Sequence, residues 1–148
     1  ETGCNEPMLH EKHIRVFQNL PNPVNVLTTH SAWLMSSLVM GANGLLSGAG
    51  SVIAPLQVRL FNAVKNNNLE EAKDINDKIF PLVQLFYKPP FLDMHNRMKE
   101  TLVILNAMKK AVVRPPLMKL PFEEIEELKN TVNDINLDNK LNFVKLVV

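Results

Sequence analysis

The segment from Val16 to Val58 contains no Asp, Glu, Lys or Arg, and all such residues of the chain lie outside it. A block of this kind is either the buried centre of a fold or a membrane span. A spanning helix needs about 20 predominantly apolar residues in one run. The block is interrupted by Pro55, by serines and by four glycines, namely Gly41, Gly44, Gly48 and Gly50. These breaks favour a buried core over a membrane span.

Prolines and glycines divide this region into short elements that alternate between helix and strand. We predict a helix at 8–20, a strand at 24–28, a helix at 32–40, a strand at 44–47 and a helix from about Pro55. Ser31 is a fair N-cap for the second helix, and Gly41 is typical of its end. Strand, helix, strand, helix with short connections indicates a parallel α/β architecture. Parallel strands covered on both faces read as unbroken apolar runs, which accounts for the missing charges.

The rest of the chain is predicted to be helical and amphipathic. Apolar residues recur at helical spacing over 56–64, 69–86, 94–108 and 125–135. Pro121 followed by Glu123 and Glu124 indicates the start of the last helix, because acidic side chains favour the positive end of the helix dipole. Residues 136–148 have no convincing period, although LNFVKLVV at their end is compatible with a strand.

Composition limits the partners and the compartment. The chain has 16 basic and 15 acidic residues. Without a basic cluster, it carries no electrostatic footprint for a nucleic acid or an anionic membrane, and a small ligand is favoured. Its one cysteine, Cys4, cannot form a disulfide within the chain, and no signal peptide pattern is visible. We therefore expect a cytoplasmic protein.

The run from His10 to His13 invites comparison with a zinc-protease helix. That motif needs two histidines four residues apart, so that they share a helix face. Here the spacing is three. We therefore predict a solvated helix face and no metal site.

The glycine-rich run GANGLLSGAGS is a candidate anion-binding segment. Backbone amides after a strand can hold a phosphate or a carboxylate. The run lacks the Gly-Lys-Ser/Thr of a P-loop and the spacing of a dinucleotide fingerprint. Two interpretations stay open at this point: an anion cradle, or glycines that only let helix and strand approach closely.

Thr28, Thr29 and His30 lie where the first predicted strand ends. Ligands of α/β proteins bind at the carboxyl ends of strands. These three residues are therefore candidate ligand contacts, and the alternative is that they only cap the following helix.

The order of these segments resembles the C-terminal half of the dihydrodipicolinate synthase and N-acetylneuraminate lyase family. The resemblance covers roughly residues 1–135, and its most specific parts are GANGLLS, LEEAK and VVRPPL. It implies a (β/α)8 barrel with extra C-terminal helices, usually assembled as tetramers. On this basis the chain is an α/β protein formed by the C-terminal half of a TIM barrel, strands seven and eight, plus appended helices. Residues 136–148 form a tail of uncertain structure.

The resemblance also implies a chemistry. Family members bind pyruvate or another 2-oxo acid as a Schiff base on a lysine at the end of the sixth strand, without a cofactor. That lysine is followed by an acidic residue and then commonly Thr or Ser. The chain opens with Glu1-Thr2, so the implied lysine would precede Glu1. The family's carboxylate-binding Thr-Thr segment and its proton-relaying tyrosine would also lie in the missing half.

The resemblance assigns the remaining positions to the wall of the substrate site. They are Thr29, His30, Ser31, Leu46, Ser47 and Ser51, to which the strand-end argument adds Thr28. Thr29 and His30 stand where family members often have Gly followed by acidic residues that read the distal end of the substrate. This departure favours a polyhydroxylated or acidic 2-oxo acid over the diaminopimelate-pathway substrate or sialic acid. The backbone carbonyl of Leu46 is expected to border the imine site.

Two classes of function remain. The chain is part of a lyase, aldolase or dehydratase whose N-terminal half supplies the lysine, or it is a non-catalytic remnant or assembly subunit of the same fold. Two strands cannot close a barrel, and their open edges must be paired or covered. We therefore expect the isolated chain to associate, to misfold or to need its N-terminal half.

Overall fold

The structure is a computed structural model that describes residues 6–137, and these residues are mostly helical. Its helices are α1 (Pro7–Gln18), α2 (Leu34–Val39), α3 (Gly50–Lys65), α4 (Leu69–Tyr87), α5 (Met94–Ile104) and α6 (Phe122–Asp134). Two short strands, β1 (Leu27–Thr28) and β2 (Gly44–Leu45), and two 3₁₀ turns at Ser31–Trp33 and Phe91–Asp93 complete the list of elements. The chain divides into two compact units, one ending at Lys78 and the other beginning at Ile79. The strand considered for residues 141–148 lies outside the described residues.

The two strands pair in parallel, in agreement with the predicted order of elements. Leu27 lies opposite Gly44, and Thr28 lies opposite Leu45. The ladder continues beyond both ends, because Asn43 N–H donates to Val26 O (2.9 Å) and Leu46 N–H donates to Thr28 O (2.8 Å). A Cβ atom on Gly44 would lie 3.0 Å from Leu27 Cδ2. This glycine therefore lets the two strands approach closely.

The charge-free block supplies most of the core of the first unit. Its buried apolar side chains include Val26, Leu34, Leu38, Val52, Ile53 and Leu56. No helix within residues 6–137 is both long and apolar enough to cross a membrane. The described part of the structure thus uses the block as a packed interior, as its glycine and proline breaks predicted.

Helix α3 begins at Gly50, five residues earlier than predicted. Regular helical geometry is interrupted at Ile53, whose φ and ψ are −122° and 25°. Ala49 O accepts hydrogen bonds from both Val52 N–H and Ile53 N–H, at 2.9 Å each. The turn before the interruption is therefore satisfied by backbone bonds. Pro55, which has no N–H to donate, sits in the first regular turn after it.

The packed face of α1 differs from the prediction. Ile14 and His10 are buried, His10 completely, whereas Phe17 is exposed. The predicted solvated face at His10 is therefore wrong. Its imidazole Nε2 and Ser37 Oγ on α2 form a hydrogen bond of 2.7 Å, which offsets the cost of burying a polar ring.

Arg97 on α5 organises the second unit. Its side chain is completely buried, and its Nε donates to Glu124 Oε1 on α6 at 2.5 Å. Its other donors reach the carbonyl oxygens of Phe86, Lys88, Pro89 and Pro90 at 2.6–3.4 Å. The last carbonyls of a helix have no partner within that helix. Arg97 therefore satisfies the end of α4 and, through Glu124, connects it to α6.

We predict that Arg97→Met lowers the free energy of unfolding by about 3–5 kcal/mol, because it leaves a partly buried carboxylate and several carbonyls without their donor. Urea unfolding of the folded protein measures the change. The matched control is Arg59→Met, whose exposed ion pair with Glu71 should contribute about 1 kcal/mol or less. Equal losses in the two variants would contradict the role given to Arg97.

Candidate functional site

The carboxyl ends of β1 and β2 bring two serines together. Ser31 Oγ and Ser47 Oγ form a hydrogen bond of 2.5 Å. Gln57 Nε2 on α3 donates to Ser47 Oγ at 3.0 Å and to Ser31 Oγ at 3.3 Å. Gly50 N–H also donates to Ser47 Oγ, at 3.2 Å. We call Ser31, Ser47 and Gln57 the serine–glutamine cluster; it fixes two hydroxyls at the end of the parallel strands.

Gln57 was not among the residues predicted for the site. It is buried, and it lies four residues after Ile53 and three before Leu60, both completely buried. That spacing places all three on one helix face. Gln57 could have been predicted from the sequence as a polar residue on an otherwise apolar helix face. A buried polar side chain needs hydrogen-bond partners, so such a position indicates a polar cluster.

Ser31 does not cap α2 as predicted. It begins the 3₁₀ turn at Ser31–Trp33 and makes no side-chain capping bond to α2, which starts only at Leu34. Its hydroxyl is instead buried in the serine–glutamine cluster. The capping prediction is wrong because the folded structure places the Ser31 hydroxyl next to Ser47 and Gln57, and α2 begins three residues further along the chain.

The other predicted site residues have different surroundings. Thr28 is completely buried, and its Oγ1 accepts a hydrogen bond from His30 N–H at 3.3 Å. Thr29, the next residue, is half-buried, whereas the side chain of Leu46 is exposed. Ser51 is exposed, and its hydroxyl donates to Gly48 O at 2.8 Å in the first turn of α3. This bond holds Ser51 to the start of the helix rather than to the serine–glutamine cluster.

His30 is part of an aromatic group beside these strand ends. Its ring stacks on Trp33, with ring centroids 5.4 Å apart and planes 19° apart. Trp33 also meets His10 edge-on, at a centroid distance of 5.0 Å. His30 Nε2 is buried and has no hydrogen-bond partner among the described residues, and the same holds for His13 Nδ1. A buried nitrogen in this state is available to a ligand or a water molecule.

The electrostatics of this group favour neutral imidazole at His10. Burial lowers the pKa of His10, because a charged ring loses its hydration there, and positive charge on His30 and on His13 lowers this pKa further. No group of three or more His, Cys, Asp or Glu residues within 6–137 is arranged to hold a metal ion. Burial among these rings thus favours the neutral form of the His10 imidazole.

Polar side chains at the carboxyl ends of neighbouring parallel strands define a class of α/β proteins that bind small molecules at that edge. A sequence model of the Dihydrodipicolinate synthetase family matches residues 6–135. The chain therefore belongs to the dihydrodipicolinate synthetase family, which confirms the resemblance seen in its sequence.

Individual relatives show how much of a family member this chain represents. The 4-hydroxy-tetrahydrodipicolinate synthase of Methanocaldococcus jannaschii is 22% identical over 114 residues, which are 77% of this chain and 38% of that protein. The dihydrodipicolinate synthase structure from Thermotoga maritima superposes with a TM-score of 0.79 at 18% identity, over 89% of this chain and 43% of that one. The chain spans about two-fifths of these relatives.

A third relative is a prophage protein of the dihydrodipicolinic acid synthase family from Escherichia coli K12, solved in complex with pyruvate. It superposes with a TM-score of 0.79 at 19% identity, over 90% of this chain and 44% of that one. At these sequence identities, the superpositions show a shared fold alone. The described residues correspond to part of the fold of these family members.

We predict that Gln57→Leu destabilises the protein by about 1–3 kcal/mol, because Ser31 and Ser47 lose a buried donor while the apolar volume is nearly kept. Chemical unfolding measures the loss. Gln84→Leu is the matched control, since Gln84 is exposed on α4 and its replacement should change stability by about 0.5 kcal/mol or less. The assignment is wrong if Gln57→Leu is as mild as this control.

We also predict a pH dependence of stability that arises from His10. Its folded-state pKa lies below the unfolded value of about 6.5, so the folded protein binds fewer protons than the unfolded chain. The resulting stability is complete above that unfolded value and is lost as the pH falls through it toward the lower folded pKa. The melting temperature should therefore fall between about pH 7.5 and about pH 5.5.

The histidine variants separate His10 from general acid effects. The fall in melting temperature should be smaller in His10→Gln and unchanged in His95→Gln, because His95 is exposed on α5. A pH dependence that is the same in all three proteins would show that His10 does not contribute to it.

Proposed function

We propose that this chain is the C-terminal half of a Schiff-base lyase, aldolase or dehydratase that acts on pyruvate or another 2-oxo acid. In this proposal β1 and β2 are strands seven and eight of a (β/α)8 barrel. Helices α1 to α3 belong to its outer ring, and α4 to α6 are the appended C-terminal helices. The barrel part and these helices together form the unit proposed for residues 1–135.

The extent of the structural match carries this proposal. The chain superposes on the Thermotoga maritima structure over 89% of its own length but over only 43% of that chain. Among the described residues, β1 and β2 form a two-stranded sheet, so each strand has one neighbour. A strand in a closed barrel has two. Both observations support a partial barrel that needs further strands from elsewhere.

The proposed reaction begins with an amine that this chain does not provide near the strand ends. A lysine amine attacks the carbonyl carbon of the 2-oxo acid, water leaves, and the resulting imine withdraws electrons from the neighbouring carbon–carbon bond. The charge-free block that contains both strand ends has no lysine. The N-terminal half is therefore proposed to supply this amine.

The chain is proposed to wall the site and to select the substrate. The carbonyl of Leu46 and the hydroxyl of Ser47 border the imine, while Thr29, His30 and Ser31 meet the distal end of the substrate. Support comes from the buried His30 Nε2, which has no partner within residues 6–137 and can bond a hydroxyl or carboxylate of a ligand. Thr28 and Ser51 are assigned supporting positions, since their hydroxyls bond local backbone groups.

Exposed apolar side chains on the first unit are consistent with a partner that covers them. They include Met8, Val16, Phe17, Leu20 and Val24, whose exposure ranges from 39% to 79%. An apolar surface of this kind favours burial against another chain. We propose that the N-terminal half covers it in a cytoplasmic homo-oligomer, a tetramer by analogy with the family, without a cofactor or nucleic acid.

The alternative proposal is a non-catalytic assembly subunit of the same fold. Neither strand end carries a lysine. If the N-terminal half also lacks the imine-forming lysine, the assembly role is favoured over catalysis. Such a subunit would still bind partner subunits through the same apolar surface. Trapping of the imine separates the two proposals.

We predict that the chain, mixed with the N-terminal half that completes the barrel, gives a covalent adduct when pyruvate and borohydride are added. Borohydride reduces the imine to a stable amine, and mass spectrometry should place the adduct on the N-terminal half. Lactate, which lacks the carbonyl carbon that an amine attacks, is the matched control and should give none. If the complete protein also gives no adduct with pyruvate, the catalytic proposal fails; co-purification of the two halves then tests the assembly role.

A further inference from the structure

Trp33 lies between two imidazoles that belong to different parts of the first unit. Its ring stacks on His30, with ring centroids 5.4 Å apart, and meets His10 of α1 edge-on at 5.0 Å. His10 in turn is hydrogen-bonded through Nε2 to Ser37 Oγ of α2, at 2.7 Å. We call His10, Trp33 and His30 the ring stack. It joins the first turn of α1 to the connection between β1 and α2.

The ring stack is one of a few contacts that hold α1 in place. Along this helix, which is described over its whole length, the buried residues are His10 and Ile14. Near its other end, Gln18 Nε2 donates to Gly41 O at 2.8 Å and to Asn43 Oδ1 at 2.7 Å. The first turn of α1 therefore depends on His10, whereas the rest of the helix has separate anchors.

Two imidazole nitrogens in this region suit neutral rings. His30 Nε2 and His13 Nδ1 are buried without a hydrogen-bond partner among the described residues. In a neutral imidazole such a nitrogen can be the one without hydrogen, but a charged imidazole carries hydrogen on both nitrogens. A second proton on either ring would therefore place an unpaired N–H in the interior. The attraction of a charged ring to an indole face is smaller than the cost of such a group.

The charges that face His10 across its surroundings are those of other imidazoles. Burial lowers the pKa of His10 most, and positive charge on His30 and on His13 lowers it further. Helix α2, which packs against α1, contains no charged residue, and residues 16–58 as a whole contain no Asp or Glu to balance a charged ring. The other charged residues at this end of α1 are Glu6, Glu11, Lys12 and Arg15, of which Glu11 and Arg15 pair with each other.

We propose that the ring stack is an acid-sensitive latch that holds the first turn of α1 against α2. When the imidazoles gain protons, they repel one another and their buried N–H groups lack partners, so that His10 separates from Trp33 and Ser37. Ile14 and Gln18 keep the rest of the helix in place, and the opening is therefore local. The opening also frees His30 at the carboxyl end of β1. The latch involves no catalytic step and does not depend on the proposed function.

Trp33 is the only tryptophan of the chain, so its fluorescence reports directly on the ring stack. The measurement uses the folded protein well below its melting temperature. As the pH falls from about 7.5 to about 5.0, the emission of Trp33 should move to longer wavelength, because the indole becomes more exposed to water. Hydrogen-exchange protection of the amides of residues 10–13 should fall by up to about tenfold per pH unit for each proton gained, while α3 keeps its protection.

Variants test whether the histidines cause this change. His10→Phe and His30→Phe each keep an aromatic ring that cannot gain a proton. Each should reduce the pH-dependent shift of Trp33 emission, and the double variant should abolish it. His95→Gln, an exposed position on α5, is the matched control and should behave like the unchanged protein. If the phenylalanine variants do not fold, NMR titration of the unchanged protein decides, since the ring signals of His10 must then change together with those of Trp33.

The proposal is overturned by any of four results. These are constant Trp33 emission over this pH range, a shift that persists in the folded double variant, ring signals of His10 that change independently of those of Trp33, and a shift that coincides with loss of the whole circular dichroism signal. The last result would show global unfolding in place of a local opening. None of these results affects the imine-trapping experiment, which detects an adduct on the N-terminal half.

Discussion

The parallel pairing of β1 and β2 is the interaction on which the first unit depends. The paired segment is short, and Asn43 adds further hydrogen bonds next to it. Asn43 Oδ1 accepts hydrogen bonds from Val26 N–H (2.8 Å) and from Gln18 Nε2 (2.7 Å). One side chain thus connects the end of α1 to both strands. Because the strands run in the same direction, their carboxyl ends meet at one edge. That geometry is what brings Ser31 and Ser47 into hydrogen-bond contact.

Buried polar groups give each unit its particular arrangement. In the first unit Gln57 donates to two serines, and in the second Arg97 donates to a carboxylate and to the carbonyls that end α4. Satisfied groups of this kind specify one packing, since any other would leave buried donors or acceptors unpaired. His30 and His13 differ, because a buried ring nitrogen of each, His30 Nε2 and His13 Nδ1, has no hydrogen-bond partner in the described part of the chain. Such exceptions suit ligand contacts better than structural roles.

The family relationship and the partial coverage together limit what this chain can do. It belongs to the dihydrodipicolinate synthetase family, yet it spans about two-fifths of the relatives it matches. The two strand ends offer hydroxyls, an imidazole and backbone groups, which can form hydrogen bonds with a small molecule. They offer no amine for an imine. The glycine-rich run that contains β2 also has a structural explanation, because Gly44 allows close strand approach and Gly50 leaves space beside Gln57 Oε1.

The sequence by itself determined the order of elements, the burial of the charge-free block and the family, because these depend on local periodicity, on breakers and on motifs. It also placed the candidate residues at the strand ends. Only the tertiary structure decided which side chains meet across distant segments. It buried His10 against Ser37, took Ser31 away from the helix it was expected to cap, and added Gln57 to the site. These outcomes depend on the packing of helices against the strands, and spacing along the chain does not encode that packing directly.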